Sequence, residues 1–236
     1  MEARVSDLNM LGHLRFERAQ MLLVWADGTT VPASFDHPMS NDIVQFKELE
    51  IKYIDQTVLN FLHYIRRLFN NSIVLGHTLF AKSYDNWQVL KQIWRLVVHN
   101  VVGMIVGKEA FDVLRLHISP DVLRTCRKLR IIQITGVFPE FPASDRANST
   151  AGQALSKWLH TRLSDQTAKI LKCTIPDMRS TVSVDFMLTE FINDKSTASY
   201  VIGLDHVLLA NAVGFSVTNH HTKEQMVLRS MGDEDA

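Results

Sequence analysis

The chain has 236 residues, enough for one ordinary domain or two small ones, and it can bury a core without metal or disulfide staples. Hydrophobic residues make up 46% and charged residues 21%, a balance that excludes a mostly disordered chain. Lys and Arg total 25, as do Asp and Glu, so the net charge of zero lacks the basic excess of a nucleic-acid binder.

The first residues, Met1 to Asp7, contain no apolar signal core. No window reaches the ~18 uninterrupted apolar residues of a membrane span. Val97–Val106 comes closest, and His99 and Asn100 interrupt it. Ala19–Trp25, before a turn at Asp27-Gly28, reads as an opening strand. Further strands are expected at Phe46–Ile54, Ser72–Leu79, Gly103–Val106, Arg130–Thr135, Ala168–Ile175 and Ser199–Leu204. Marks at Lys47, Ser72, Gly103, Arg130, Lys169 and Ser199 are spaced by 25, 31, 27, 39 and 30 residues, about one strand plus one helix per unit.

Amphipathic helices fill the intervals. The first carries Val58, Leu59, Leu62, Ile65, Leu68 and Phe69 at helical spacing, with Asp55 as its cap. The second places Trp87, Leu90, Ile93, Trp94, Val97 and Val98 on one stripe, capped by Asp85 or Asn86. The third has Val113, Leu114, Leu116 and Ile118, breaks at Pro120, and resumes with Val122, Leu123 and Cys126 under a Ser119 cap. The fourth opens on the capping box Thr150-Ala151-Gly152-Gln153 and buries Ala154, Leu155, Trp158 and Leu159. A fifth, weaker helix carries Phe186, Met187, Leu188, Phe191 and Ile192. Phe215–Asn219 and Gln225–Arg229 alternate at period two around His220-His221-Thr222-Lys223, which predicts a closing hairpin.

Strand–helix–strand repeats imply right-handed crossovers and a parallel sheet, hence an α/β fold. We favour an irregular, leucine-rich-repeat-like solenoid with a C-terminal β-hairpin; the alternative is a doubly wound parallel sheet. The organisation expected is an N-terminal segment over 1–40, one α/β repeat-like domain over 41–230, and a disordered acidic tail over 231–236.

No chemistry-bearing motif survives inspection. Gly103-Met104-Ile105-Val106-Gly107-Lys108 is one residue short of a phosphate loop, and Glu109 replaces the Ser or Thr that would ligate Mg²⁺. Gly214-Phe215-Ser216 lacks the second glycine of a nucleophile elbow. His220-His221 point to opposite faces of a strand, and Asp205-His206 has no evident nucleophile beside it. No His-Glu-x-x-His or Cys-x-x-Cys occurs, so no catalytic residue, metal site or cofactor is assigned. Cys126 and Cys173 read as buried thiols in a reducing compartment, the cytoplasm or nucleus. Arg124, Arg127, Lys128 and Arg130 form a basic cluster that a helix C-terminus also explains. Phe138-Pro139-Glu140-Phe141-Pro142 is either a packed loop or a presented one, with packing favoured.

Four segments carry a resemblance. They are Tyr53 to Val58 with Phe61-Leu62 and Ile65 to Phe69; Trp87 with Gln92-Ile93-Trp94 and Ser119-Pro120; Phe138 to Pro142 with Gly152 to Leu155 and Lys157 to Thr161; and the hairpin with Phe215, Thr218-Asn219 and Thr222 to Gln225. Over roughly residues 40–230 the chain resembles the F-box-associated proteins expanded in plant-parasitic cyst nematodes. The resemblance implies a non-enzymatic protein–protein interaction module. It would be the substrate-recognition region of an F-box protein in an SCF-type (cullin–RING) ubiquitin ligase. The partner implied is a ubiquitylation substrate, with a Skp-type adaptor only if an F-box or cryptic site is present. About 40 residues precede the first shared strand, and no three-helix F-box is evident. Leu14 to Ala19 looks like the junction after one. The alternatives are a small α/β enzyme with dispersed site residues, or a parasite effector mimicking a ligase component. No nucleic-acid or membrane partner is expected, and oligomeric state is not legible. The candidate partner surface comprises strand residues Glu48, Glu50, Lys52, Gln133 and Thr135 with loop residues Phe138 and Phe141.

Overall fold

The structure is a computed structural model that describes residues 13–17, 20–24, 29–33, 48–51, 55–69, 72–76, 87–174, 188–193, 195, 199–205 and 215–228. It is α/β, with parallel strands and a small antiparallel hairpin. The chain divides into two compact units, Met1–Ile132 and Gln133–Ala236.

The first unit begins with three strands, β1 (His13–Glu17), β2 (Gln20–Val24) and β3 (Thr30–Ala33). Then follow β4 (Glu48–Ile51), α1 (Gln56–Tyr64), a 3₁₀ turn over Arg66–Phe69, β5 (Ile73–Leu75) and α2 (Trp87–Val97). After them come β6 (Val101–Gly107), α3 (Lys108–His117) and α4 (Val122–Thr125). Its strand order is β3-β2-β1-β4-β5-β6. Strands β1, β4, β5 and β6 are parallel neighbours in chain order, while β2 and β3 add an antiparallel ribbon beside β1. The core is built from one strand face and the helix stripes that cover it. Leu14, Leu49, Ile73, Leu75, Phe61, Leu62, Ile93 and Phe111 are all essentially inaccessible.

Strand β1 is not a linker. Leu14 to Glu17, read from sequence as part of a junction, lies in register with β4, with Leu14 beside Leu49 and Arg15 beside Glu50. Asp55 caps α1 as expected, its Oδ1 accepting from Val58 N at 2.8 Å. Ser119 does not cap α4. The N-cap position is Asp121, and the Ser119 hydroxyl donates to the Asp121 carboxylate instead. Leu116 departs as well: it is 77% exposed, while Phe111, Leu114 and Arg115 are buried. Two residues past Leu114, the helix has turned by about 200°, which puts Leu116 opposite the buried stripe. Trp87 was placed on the α2 stripe but stands at the surface, stacked on His117 with the Lys91 ammonium 4.6 Å from its ring.

Strand β7 (Ile131–Thr135) runs through the boundary between units. The second unit continues with α5 (Ala151–Leu159), β8 (Lys169–Thr174), a helical segment at 188–193 and β9 (Tyr200–Asp205). Strands β7, β8 and β9 are neighbours in that order, and β8 pairs with β9 in parallel. The hairpin of β10 (Phe215–Thr218) and β11 (Gln225–Leu228) forms a separate sheet.

The Phe138 to Pro142 loop is packed down, which explains the Thr150 to Gln153 sequence beside it. Thr150 and Gln153 form the full capping box. The Thr150 hydroxyl also donates to Glu140 Oε2 at 2.5 Å. Phe138 is buried, and Phe141 lies edge-on to His160 with centroids 5.5 Å apart.

Asn219 anchors the hairpin. It is 1% exposed, and its Nδ2 donates to Phe191 O at 2.5 Å. Its Oδ1 accepts from the His221 and Thr222 amides, each at 2.7 Å. Asn219→Asp would keep those two acceptor contacts and set a charged oxygen against the Phe191 carbonyl. The expected cost is about 3 kcal/mol, because a buried charge faces an acceptor in place of a donor. Urea unfolding compared with Asn219→Ser checks it; equal stability of the Asp variant and wild type would contradict the anchoring role.

Candidate functional site

The second unit presents two features of interest, on different sides of its strands. Strand alternation sets the first. Ile132, Ile134, Leu171 and Cys173 are buried. The opposite set, Gln133, Thr135, Lys172 and Val201, is exposed, with Ile170, Thr174 and Gly203 half-buried among them. Ile170 lies in register with Val201, and Lys172 with Gly203. The Lys172 stem passes that glycine, where a Cβ would stand 3.8 Å from Lys172 Cγ. This leaves a mixed apolar and polar sheet face, with Val201 56% exposed.

The sequence-predicted surface residues distribute unevenly. Gln133 and Thr135 lie side by side on the exposed face of β7. Glu48 and Glu50 belong to the first unit and are half-buried, which corrects their reading as exposed strand positions. Glu50 Oε2 accepts from Arg15 Nε at 2.5 Å across the β1–β4 register, and its side chain is only 12% exposed. The Glu48 carboxylate lies over Gly76, in the space a Cβ there would take. Phe138 is buried and therefore not a presented residue, while Phe141 is half-buried against His160. Lys52 lies outside the described residues.

The second feature was missed from sequence. Lys169, the first residue of β8, falls on the buried side of the alternation and is 3% exposed. Its ammonium donates to Trp158 O and Thr161 O, just beyond the end of α5, and stands 4.9 Å from the Trp158 ring centroid. Those carbonyls are at a helix C-terminus, where a cation is favoured. Burial pushes the Lys169 amine down to about 8. Beside it lies a cavity of about 140 Å³, lined by Leu159, Thr161, Arg162, Leu163, Gln166, Thr167, Lys169, Ser199 and Glu224. The Glu224 carboxylate accepts from the Thr222 hydroxyl at 2.9 Å. Gln166 takes φ 58°, which shapes the turn along this wall.

Both cysteines are buried and neither forms a disulfide. Burial raises each thiol to about 12, which leaves little thiolate for chemistry near neutrality. Among the described residues, no group of three His, Cys, Asp or Glu could hold a metal ion, and no helix is long and apolar enough to cross a membrane. The glycine-flanked run Gly103 to Gly107 is part of strand β6, and Lys108 pairs with Asp112 at 2.8 Å.

Fold and surface together define an α/β chain with parallel strands, an exposed sheet face and a small charged cavity among the described residues of its second unit. No protein-family model, curated protein or solved structure matches the chain.

Proposed function

We propose that the chain is a non-enzymatic protein-binding module, the substrate-recognition region of an SCF-type (cullin–RING) ubiquitin ligase. The observation that carries the binding role is the exposed face of β7, β8 and β9, where Gln133, Thr135, Lys172 and Val201 stand together. Half-apolar surfaces of this kind suit a protein partner. The chain-order sequence of parallel strands within each unit supports the solenoid form of the fold, because a doubly wound sheet reverses strand order at a switch point. The F-box-associated segments quoted above support the ligase assignment, with a Skp-type adaptor as partner only if an F-box or cryptic site is present.

Affinity capture of the full chain from its own cell extract tests this. Wild type should recover a Skp-type adaptor, a cullin and substrate proteins. A Gln133→Arg, Lys172→Glu double variant should lose the substrates and melt within about 2 °C of wild type, since exposed substitutions cost little. An identical partner list for both proteins would remove the sheet face from the assignment. Recovery of substrates without adaptor and cullin would leave a free-standing binding module and remove the ligase.

A further inference from the structure

We infer that the cavity beside Lys169 is a binding site for one carboxylate group. A lysine ammonium has three N–H donors. Two of the Lys169 donors are taken by the carbonyls of Trp158 and Thr161. Both acceptors are neutral, and among the described residues no carboxylate pairs with this ammonium, although the side chain is 97% removed from solvent. Buried charges are normally paired with an opposite charge. Here the wall that carries the charge opens on a cavity, so the counter-ion can come from a ligand.

The remaining lining fixes the ligand's class. Arg162 adds a second cationic group, and Glu224 a carboxylate, to the same lining. Arg recognises a carboxylate through two parallel N–H donors. Thr161, Gln166, Thr167 and Ser199 add short polar groups around the rim. A cavity of about 140 Å³ has room for several waters or for one small carboxylate group.

Because the carboxylate could belong to a free acid or to an acidic side chain of a partner, the test has two arms. The first uses the chain alone with acetate and succinate as probes, against sodium chloride at equal ionic strength. At tenfold excess over the dissociation constant, the melting temperature should rise by about 3–6 °C. Arg162 is at the surface, so Arg162→Gln should fold and should weaken the probes at least tenfold. No saturable rise for either probe, or an equal rise in Arg162→Gln, overturns the site. So does binding of inorganic phosphate in preference to both acids. The second arm adds succinate to the captured complexes, and this arm alone depends on the partner-binding reading. Release of a partner assigns the carboxylate to that partner's side chain; retention with succinate bound assigns the site to a free acid. If the first arm fails while the Gln133/Lys172 variant still loses its partners, the carboxylate site falls and the sheet-face reading stands.

Discussion

Gly152→Ala should cost the second unit about 2 kcal/mol net, although alanine is the better helix former. Gly152 is in the first turn of α5 and is buried. A Cβ there would stand 2.5 Å from the Phe138 carbonyl oxygen and 2.6 Å from Glu140 Cγ. The first neighbour is backbone, held in a loop that the Thr150–Glu140 bond and a Ser144 N to Gln153 O bond of 3.1 Å tie to the same helix. It cannot swing away as a side-chain end could. Overpacking of this kind costs about 3 kcal/mol, against a propensity gain of about 1 kcal/mol for Ala over Gly. Gly203→Ala is the matched control. Its Cβ would meet nothing closer than 3.8 Å, so the variant should be as stable as wild type or slightly more so. Urea unfolding of the two variants, followed through α5 amide signals, separates the cases. A Gly152→Ala protein as stable as Gly203→Ala would mean that the loop does not close on the helix.

That glycine shows what was legible in the sequence and what was not. The capping box at Thr150 to Gln153 declared the helix, because the cap is a local hydrogen-bond pattern. The Phe138 to Pro142 loop was legible as packed, but its contact with Gly152 was not, since it joins residues that no periodicity relates. Strands β4 to β9 fall where expected, with no described end more than four residues off, because each is a short apolar or alternating run between helical patterns. Strand β1 was missed although Leu14 and Phe16 alternate with His13, Arg15 and Glu17, the same period-two signal. Without β1 in the sheet, Arg15 has no place beside Glu50, and Glu50 reads as a surface residue. The Lys169 site had a visible clue. In β8, Lys169 shares a face with Leu171 and Cys173, both fully buried, so the alternation itself put a lysine inside. The cavity beside that lysine brings residues of the loop after α5 together with Ser199 and Glu224, and such convergence has no signature along the chain.

Raising the pH from 8 to 9 should stabilise the second unit by about 1 kcal/mol, and Lys169→Met should abolish that gain. Burial lowers the Lys169 amine from 10.5 in the unfolded chain to about 8 in the fold. Between those values the unfolded chain holds a proton that the folded chain has released, so stability rises with pH. The contribution is complete above 10.5 and is lost as pH falls through 8. Each pH unit inside the window is worth about 1.4 kcal/mol. Cys173 acts in the opposite sense. Burial raises its thiol from 9.0 to about 12, so the unfolded chain ionises first and stability falls above pH 9. The two slopes cancel between 9 and 10.5, and the thiol alone then lowers stability as pH approaches 12. Wild type should therefore rise, level off and fall, while Lys169→Met should stay level to pH 9 and then fall. Methionine also removes the bonds to Trp158 O and Thr161 O, but that loss is constant across pH, so the slope is the diagnostic quantity. Urea midpoints at half-unit pH intervals, read from β8 amide signals, measure it. An unchanged slope in Lys169→Met would show that the ammonium is not buried as described. Saturating succinate adds a further check, because an anion beside the ammonium favours its charged form. In succinate the stability rise should begin above pH 8 in wild type, which ties the titration of Lys169 to occupation of the cavity next to it.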